Sequence, residues 1–418
     1  MKKVIIFAAL AAAVLASCAK NEVFQKETTQ TPVTFGVYVP QTKAGAAGQT
    51  TTATIQRSEV SGGGFGVFAY YTDDQNYAAA VSAGTNKPNF MYNQGVFWNS
   101  TAWQYSPVKY WPNEYGASAH SAATDYVSFF AYAPFVSNTG FETPGSYNIT
   151  AKAPANNAAG DPKITYVIDP TPSTAVDLCW AVNDATGLPW KDQTKQTITG
   201  TIPFKFKHAL ARFNVNVRGF FDEVRPSQGA VSTADIDENT KITIEKIEIT
   251  GSFYPSGVLN LNNTAANTAL WETPDAASTT LTIPNADIHS SLKATVDGET
   301  TFPTSITGVT KTNVNVFTGA APAKTDATYY TFIPKASNTT LNVKITYYVT
   351  TQDANLEGSI SCVKNVIDKS INFASFACGL NYNLNIVLGM TTVKLEATVE
   401  DWADPSNVDI DLPVNTAA

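Results

Sequence analysis

"FKFKHALARFNVNV", residues 204–217, alternates apolar and polar side chains in two phases. Phe204, Phe206 and Leu210 stand on even positions, whereas Phe213, Val215 and Val217 stand on odd ones. Successive side chains of a strand point to opposite faces, so each run makes one apolar face, and a bulge or bend is expected near Ala211. The same change of phase occurs where Ile242 and Ile244 give way to Ile247 and Ile249, which places a second irregularity near Glu245. Outward from this stretch the period stays at two. Val33, Phe35, Val37 and Val39 alternate with polar or small residues, as do Leu341, Val343, Ile345, Tyr347 and Val349. So do Tyr382, Leu384, Ile386 and Leu388, then Val393, Leu395, Ala397 and Val399, and finally Ile410, Leu412 and Val414. No long segment carries a helical stripe, and the chain is expected to be all-β.

A chain of 418 residues with 44% hydrophobic side chains can fill more than one core. Polar stretches rich in Thr, Asn, Ala, Gly and Pro, at 42–54, 151–162 and 262–280, read as loops between strands. The region before Gly200 is irregular and aromatic, and the region after it carries the cleaner alternation, so two β-sandwich domains are expected at 31–200 and 201–418. The net charge of -8 argues against a nucleic-acid partner and against electrostatic adhesion to anionic membranes.

The N-terminus suggests a different attachment. Lys2 and Lys3 precede the apolar run Val4 to Val14, which is too short to span a bilayer, and Leu15-Ala16-Ser17-Cys18 follows. This resembles a lipobox, in which the cysteine is acylated and becomes the first mature residue. Residues 1–17 are then a signal peptide, Cys18 the lipidation site, and 18–30 a lipidated linker.

Candidates for chemistry are sparse, and no cofactor, metal or catalytic residue is expected. His120, His208 and His289 lack zinc-site spacing, and His208 reads as an inward or edge histidine of its strand. Gly62-Gly63-Gly64-Phe65-Gly66 is followed by strand residues rather than a helix, which makes it a turn and not a phosphate loop. Asp235 to Asn239 lacks the glycine and distal glutamate of a calcium loop. Of Cys179, Cys362 and Cys378, the last two are either bridged or, like Cys179, buried free thiols. Trp98, Trp103 and Trp111 lie in an aromatic-rich stretch that either packs in the core and edge or stacks on a carbohydrate or host surface.

"VKYWPN" at 108–113, "YVSFFAYAPF" at 126–135, the stretch at 204–217, "LNYNLNIVL" at 380–388 and "ATVEDW" at 397–402 together resemble the fimbrillin family, in that family's order. The resemblance implies two transthyretin-like β-sandwich domains in tandem and a subunit of type V pili, exported as a lipoprotein to the bacterial outer membrane and cell surface. It also implies a removable first strand, 31–39, cut away by a trypsin-like protease, and an acceptor groove filled by a C-terminal segment of another subunit. Lys43 and Arg57 are the candidate processing sites; the lysine stands where the family usually has arginine. Residues 392–414 form the candidate donor tail, presenting Val393, Leu395, Ala397 and Val399, then Ile410, Leu412 and Val414. The implied partners are other pilus subunits, the outer membrane through lipid, and the protease. A surface carbohydrate-binding module or tip adhesin using the aromatics is the alternative.

Overall fold

The computed structural model describes residues 31–39, 50, 52–57, 63–112, 125–137, 148–169, 171, 174–194, 198, 200–219, 240–251, 254, 256–272, 279–283, 289–290, 329–334, 339–352, 355–356, 360–373, 375–388, 393–401 and 407–408. The elements of its first half are β1 (Thr34–Tyr38), α1 (Thr52–Ile55), β2 (Phe65–Asp73), α2 (Tyr77–Ala83), β3 (Met91–Trp98), β4 (Trp103–Gln104) and β5 (Tyr126–Ala133). There follow β6 (Ile149–Ala153), β7 (Lys163–Val167), β8 (Cys179–Val182), β9 (Trp190–Gln193) and β10 (Thr201–His208). The second half contains β11 (Ala211–Gly219), β12 (Thr240–Gly251), β13 (Ser256–Asn260), β14 (Leu270–Glu272), β15 (Thr279–Ile283) and β16 (His289–Ser290). It ends with β17 (Tyr330–Phe332), β18 (Thr339–Gln352), β19 (Ile360–Phe373), β20 (Leu380–Leu388), β21 (Val393–Asp401) and β22 (Asn407–Val408). The all-β expectation holds. Helix α2 escaped the periodicity because it is only 7 residues long, although its caps are ordinary: Asn76 accepts the Ala79 N–H, and Gly84 closes it at φ 66°.

Eight of the described strands form one sheet in the order β1-β10-β8-β5-β2-β3-β4, with β9 also on β5. The sheet curls until β4 meets β1. Phe65, Val67, Phe129, Ala131, Phe204 and Phe206 fill the inside of the curl. Phe68, Tyr70, Phe130, Tyr132 and Trp180 point outward into a second core, covered by the four-stranded sheet β14-β13-β7-β6. Strands β2, β5 and β8 are thus buried on both faces, which is why "FGVFAYY", "VSFFAYA" and "CWAV" read as near-continuous apolar runs. The third core lies between the sheet built on β16-β11-β20-β21-β22, with β17 on β11, and the sheet β15-β12-β18-β19.

The opening stretch visits all three cores. Phe204 and Phe206 enter the curl, Leu210 enters the second core, and Phe213 and Val215 enter the third. The change of phase near Ala211 is therefore no bulge within one strand, as expected from the pattern, but the crossing from β10 to β11, which lie in different sheets. At Glu245 the expectation is met: the β12–β18 register shifts between Ile244 and Lys246. Strand pairing crosses the boundary expected at Gly200. Strand β10 pairs with β1 and β8 in the first sheet, and β13 and β14 reach back from the second half to pair with β7. A cut in sequence cannot show this, because sheet partners are chosen by hydrogen bonding and burial across long separations.

Candidate functional site

Strand β1 lies parallel to β10 in continuous register from Thr34–Thr201 to Tyr38–Lys205. Its entry is held on the other side as well. Pro32 bridges antiparallel to Tyr110, Val33 donates its N–H to the Lys109 carbonyl at 2.9 Å, and Trp111 donates its N–H to the Thr31 carbonyl at 2.9 Å. The Tyr105 hydroxyl donates to the Val33 carbonyl at 2.8 Å. Gly200, at φ 97°, turns its carbonyl to accept the Thr34 N–H at 3.0 Å and the Trp111 indole N–H at 3.3 Å. The first strand thus occupies a slot between β10 and the 105–111 segment.

The side chains repeat the alternation read from the sequence. Val33, Phe35 and Val39 are buried, Val37 packs partly buried against the same core, and Tyr38 is 56% exposed with the Lys205 ammonium 5.7 Å from its ring centroid. Phe35 is the anchor. It stacks on Phe204 at 5.5 Å and 12°, and meets Phe65, Phe129 and Tyr105 at 6.0, 6.1 and 5.5 Å.

Beyond the slot, Thr50 and Ile55 are buried again and Arg57 is exposed. The Ile55 carbonyl accepts the Gly64 N–H at 2.7 Å, which ties this segment to the start of β2. Gly63 and Gly64 stand just ahead of that strand, Gly64 at φ 85°, in keeping with the turn reading. Cys18, Lys43, Ile410, Leu412 and Val414 lie outside the described residues, as do His120, the Asp235 to Asn239 stretch and the side chains of His289 and Cys362.

Val393, Leu395, Ala397 and Val399, read as donor residues, lie in a strand of this chain's own sheet. They belong to β21, which pairs along its whole length with β20, from Leu388–Val393 to Leu380–Asp401, and Val399 is buried in the third core. An unbroken ladder with a partner in its own sheet makes this strand part of its own domain. Trp111 is corrected as a ligand candidate: it is 2% exposed and packs on Phe129 at 5.6 Å. Trp98 and Trp103 face each other across the β3–β4 hairpin with centroids 5.3 Å apart, both half-buried, and Trp103 also meets Phe65 at 5.1 Å. The bridge considered between Cys362 and Cys378 is ruled out, because Cys378 is a free thiol and accepts the Ala269 N–H at 3.4 Å.

One cluster went unread in the sequence. Cys179 and His208 are direct cross-strand partners on β8 and β10, and Asp177 stands two residues before the cysteine. His208 Nδ1 lies 2.7 Å from Asp177 Oδ2 and 3.6 Å from Cys179 Sγ. Thr50 donates its N–H to Asp177 Oδ2 at 3.0 Å and its hydroxyl to the Asp177 carbonyl. All four residues are buried. Burial and then the Asp177 charge push the Cys179 thiol up, the opposite of what a nucleophile requires. The only sequence signal is D-x-C, two polar groups spaced to share a face.

The fold, a curled sheet followed by a second pair of sheets, is similar to that of a solved fimbrial protein. A fimbrial protein from Bacteroides vulgatus ATCC 8482, solved by crystallography, superimposes with a TM-score of 0.59 and 24% identity over 88% of this chain and 99% of that one. In sequence, the chain is similar to the fimbrium subunit Fim1C of Phocaeicola vulgatus, with 27% identity over 415 residues, 96% of this chain and 97% of that protein. No family model matches. The likeness to fimbrial subunits read from five motifs thus extends over nearly the whole chain.

Proposed function

We propose that this chain is a structural and adhesive subunit of a bacterial surface pilus, built from transthyretin-like domains and assembled by exchange of strands at the slot that β1 fills. The observation that carries this reading is the seating of β1: an edge strand held by main-chain bonds and one aromatic anchor can be exchanged for another strand with the same alternation. Export as a lipoprotein through Cys18 would deliver the precursor to the outer membrane. A trypsin-like protease then separates the first strand from the body. Between the two candidate sites, the burial of Thr50 and Ile55 favours Lys43, since a cut there leaves both seated, whereas a cut at Arg57 would also remove buried contacts. With β21 engaged in its own sheet, the donor is narrowed to Ile410, Leu412 and Val414, which repeat the spacing of Val33, Phe35 and Val37.

N-terminal sequencing of assembled filaments should read from Ala44 onward, and a start at Cys18 in polymerised material would refute processing. Replacing Ile410, Leu412 and Val414 with Asp should leave a folded monomer by circular dichroism and abolish the detergent-resistant ladders that trypsin-trimmed wild type forms. Ladders of equal length from both would exclude this segment as donor.

A further inference from the structure

We propose that Asp177, Cys179 and His208 form a buried three-ligand site for a thiophilic divalent cation, zinc(II) or a close substitute. The strands supply the arrangement. A cross-strand pair directs two side chains to one face, and the residue two positions away in extended chain joins them there, so three donors converge without a special loop. The donor atoms, one oxygen, one sulfur and one nitrogen, lie within 4.8 Å of one another. Around zinc, bonds of about 2.0–2.3 Å at tetrahedral angles place such donors about 3.3–3.6 Å apart. Cys179 Sγ to His208 Nδ1 is 3.6 Å and Cys179 Sγ to Asp177 Oδ2 is 4.0 Å, close to that spacing. The third edge, 2.7 Å from His208 Nδ1 to Asp177 Oδ2, is a direct hydrogen bond and must open by about 0.6–0.9 Å as the metal replaces the shared proton.

Asp177 provides a second, independent reason. The carboxylate is 2% exposed, and its Oδ1 is buried with no hydrogen-bond partner among the described residues. A buried carboxylate oxygen without a partner is costly, and a cation held by both carboxylate oxygens removes the cost. The charges also balance: one carboxylate and one thiolate neutralise one dication, and a neutral imidazole completes the donor set. Binding forms the metal–sulfur bond as the thiol proton leaves to solvent, and the proton shared by Nδ1 and Oδ2 passes to Nε2 of the neutral imidazole, with no redox step. Thr50 orients Asp177 through its N–H, so the occupied site would also fasten the segment that follows the first strand to β8 and β10.

The test uses the purified protein, unfolded in chelator and refolded with zinc sulfate or cobalt chloride. One equivalent of metal per chain should survive gel filtration, and the cobalt form should show a near-ultraviolet thiolate-to-metal band. Asp177→Asn, which keeps the shape, and Cys179→Ser should each weaken zinc binding by more than about tenfold, the lower end of what losing even an outer-sphere partner does. The proposal is overturned if refolded wild type retains no metal, if bound cobalt shows no thiolate band, or if both variants bind as wild type does. Should a variant fail to fold, the cobalt band and stoichiometry of the wild type decide alone.

Discussion

Replacing Phe35 with Ala should loosen the first strand far more than any change on its exposed face. Phe35 is 5% exposed and touches four aromatic rings, one of them stacked. Truncating a buried phenylalanine costs about 3–5 kcal/mol, because the lost transfer energy is joined by the cavity that a rigid surround leaves. At about 1.4 kcal/mol per factor of ten, the strand's hold on its slot falls by about two to three and a half orders of magnitude. Tyr38→Ala is the control. Its ring is 56% exposed and among the described residues lies against the Lys205 ammonium, a contact of about 0.5–1 kcal/mol at an exposed site, so the hold should fall by about fivefold at most. The assay nicks the folded protein with trypsin, quenches, and follows by gel filtration and mass spectrometry how fast the N-terminal fragment leaves the body. In wild type the fragment should leave only as slowly as the trimmed chains form ladders, and in Phe35→Ala it should separate at once. Equal retention in both variants, or release from Tyr38→Ala as fast as from Phe35→Ala, would refute the anchoring argument.

Other consequences are open to simple measurements. Gly200→Ala forces a side chain onto a backbone at φ 97° and should lower stability by about 1–2 kcal/mol in urea titration, whereas Gly36→Ala, where a Cβ meets only ordinary 3.7 Å contacts, should not. Val399→Asp should unfold the second pair of sheets, visible as lost cooperativity in denaturation, because the residue is buried in that core. Desolvation lowers the Lys152 ammonium from 10.5 to about 7. The native chain therefore sheds this proton near pH 7 while the unfolded chain keeps it to about 10.5, so this group makes stability rise with pH across that window. The part-exposed site limits the rise to less than about 1 kcal/mol per pH unit, and Lys152→Met should flatten it between pH 7 and 9 in urea midpoints. Trp103→Ala should destabilise the curl through its edge contact with Phe65, and Trp98→Ala should cost less, as read from thermal melts.

Alternation by itself determined the class of the fold, and with it the faces of β1, β18 and β20, since a strand half-buried in a sheet must place its apolar residues on every second position. It also determined the bulge at Glu245, because inserting one residue is the local way to restore a face. The seat of the first strand was legible to the same extent: Val33, Phe35 and Val39 announce a buried face, although nothing in them names β10 as the partner or Tyr105 and Trp111 as the other wall. Tertiary structure decided those partners, the crossing at Ala211 that imitated a bulge, and the placement of β21 inside its own sheet rather than free as a donor. It also brought Asp177, Cys179, His208 and Thr50 together from separations of 29 and 127 positions. The physical reason is common to all of these. Periodicity is a property of neighbours along the chain, whereas sheet order and the meeting of buried polar groups depend on which distant surfaces exclude water together, and many pairings satisfy the same local pattern.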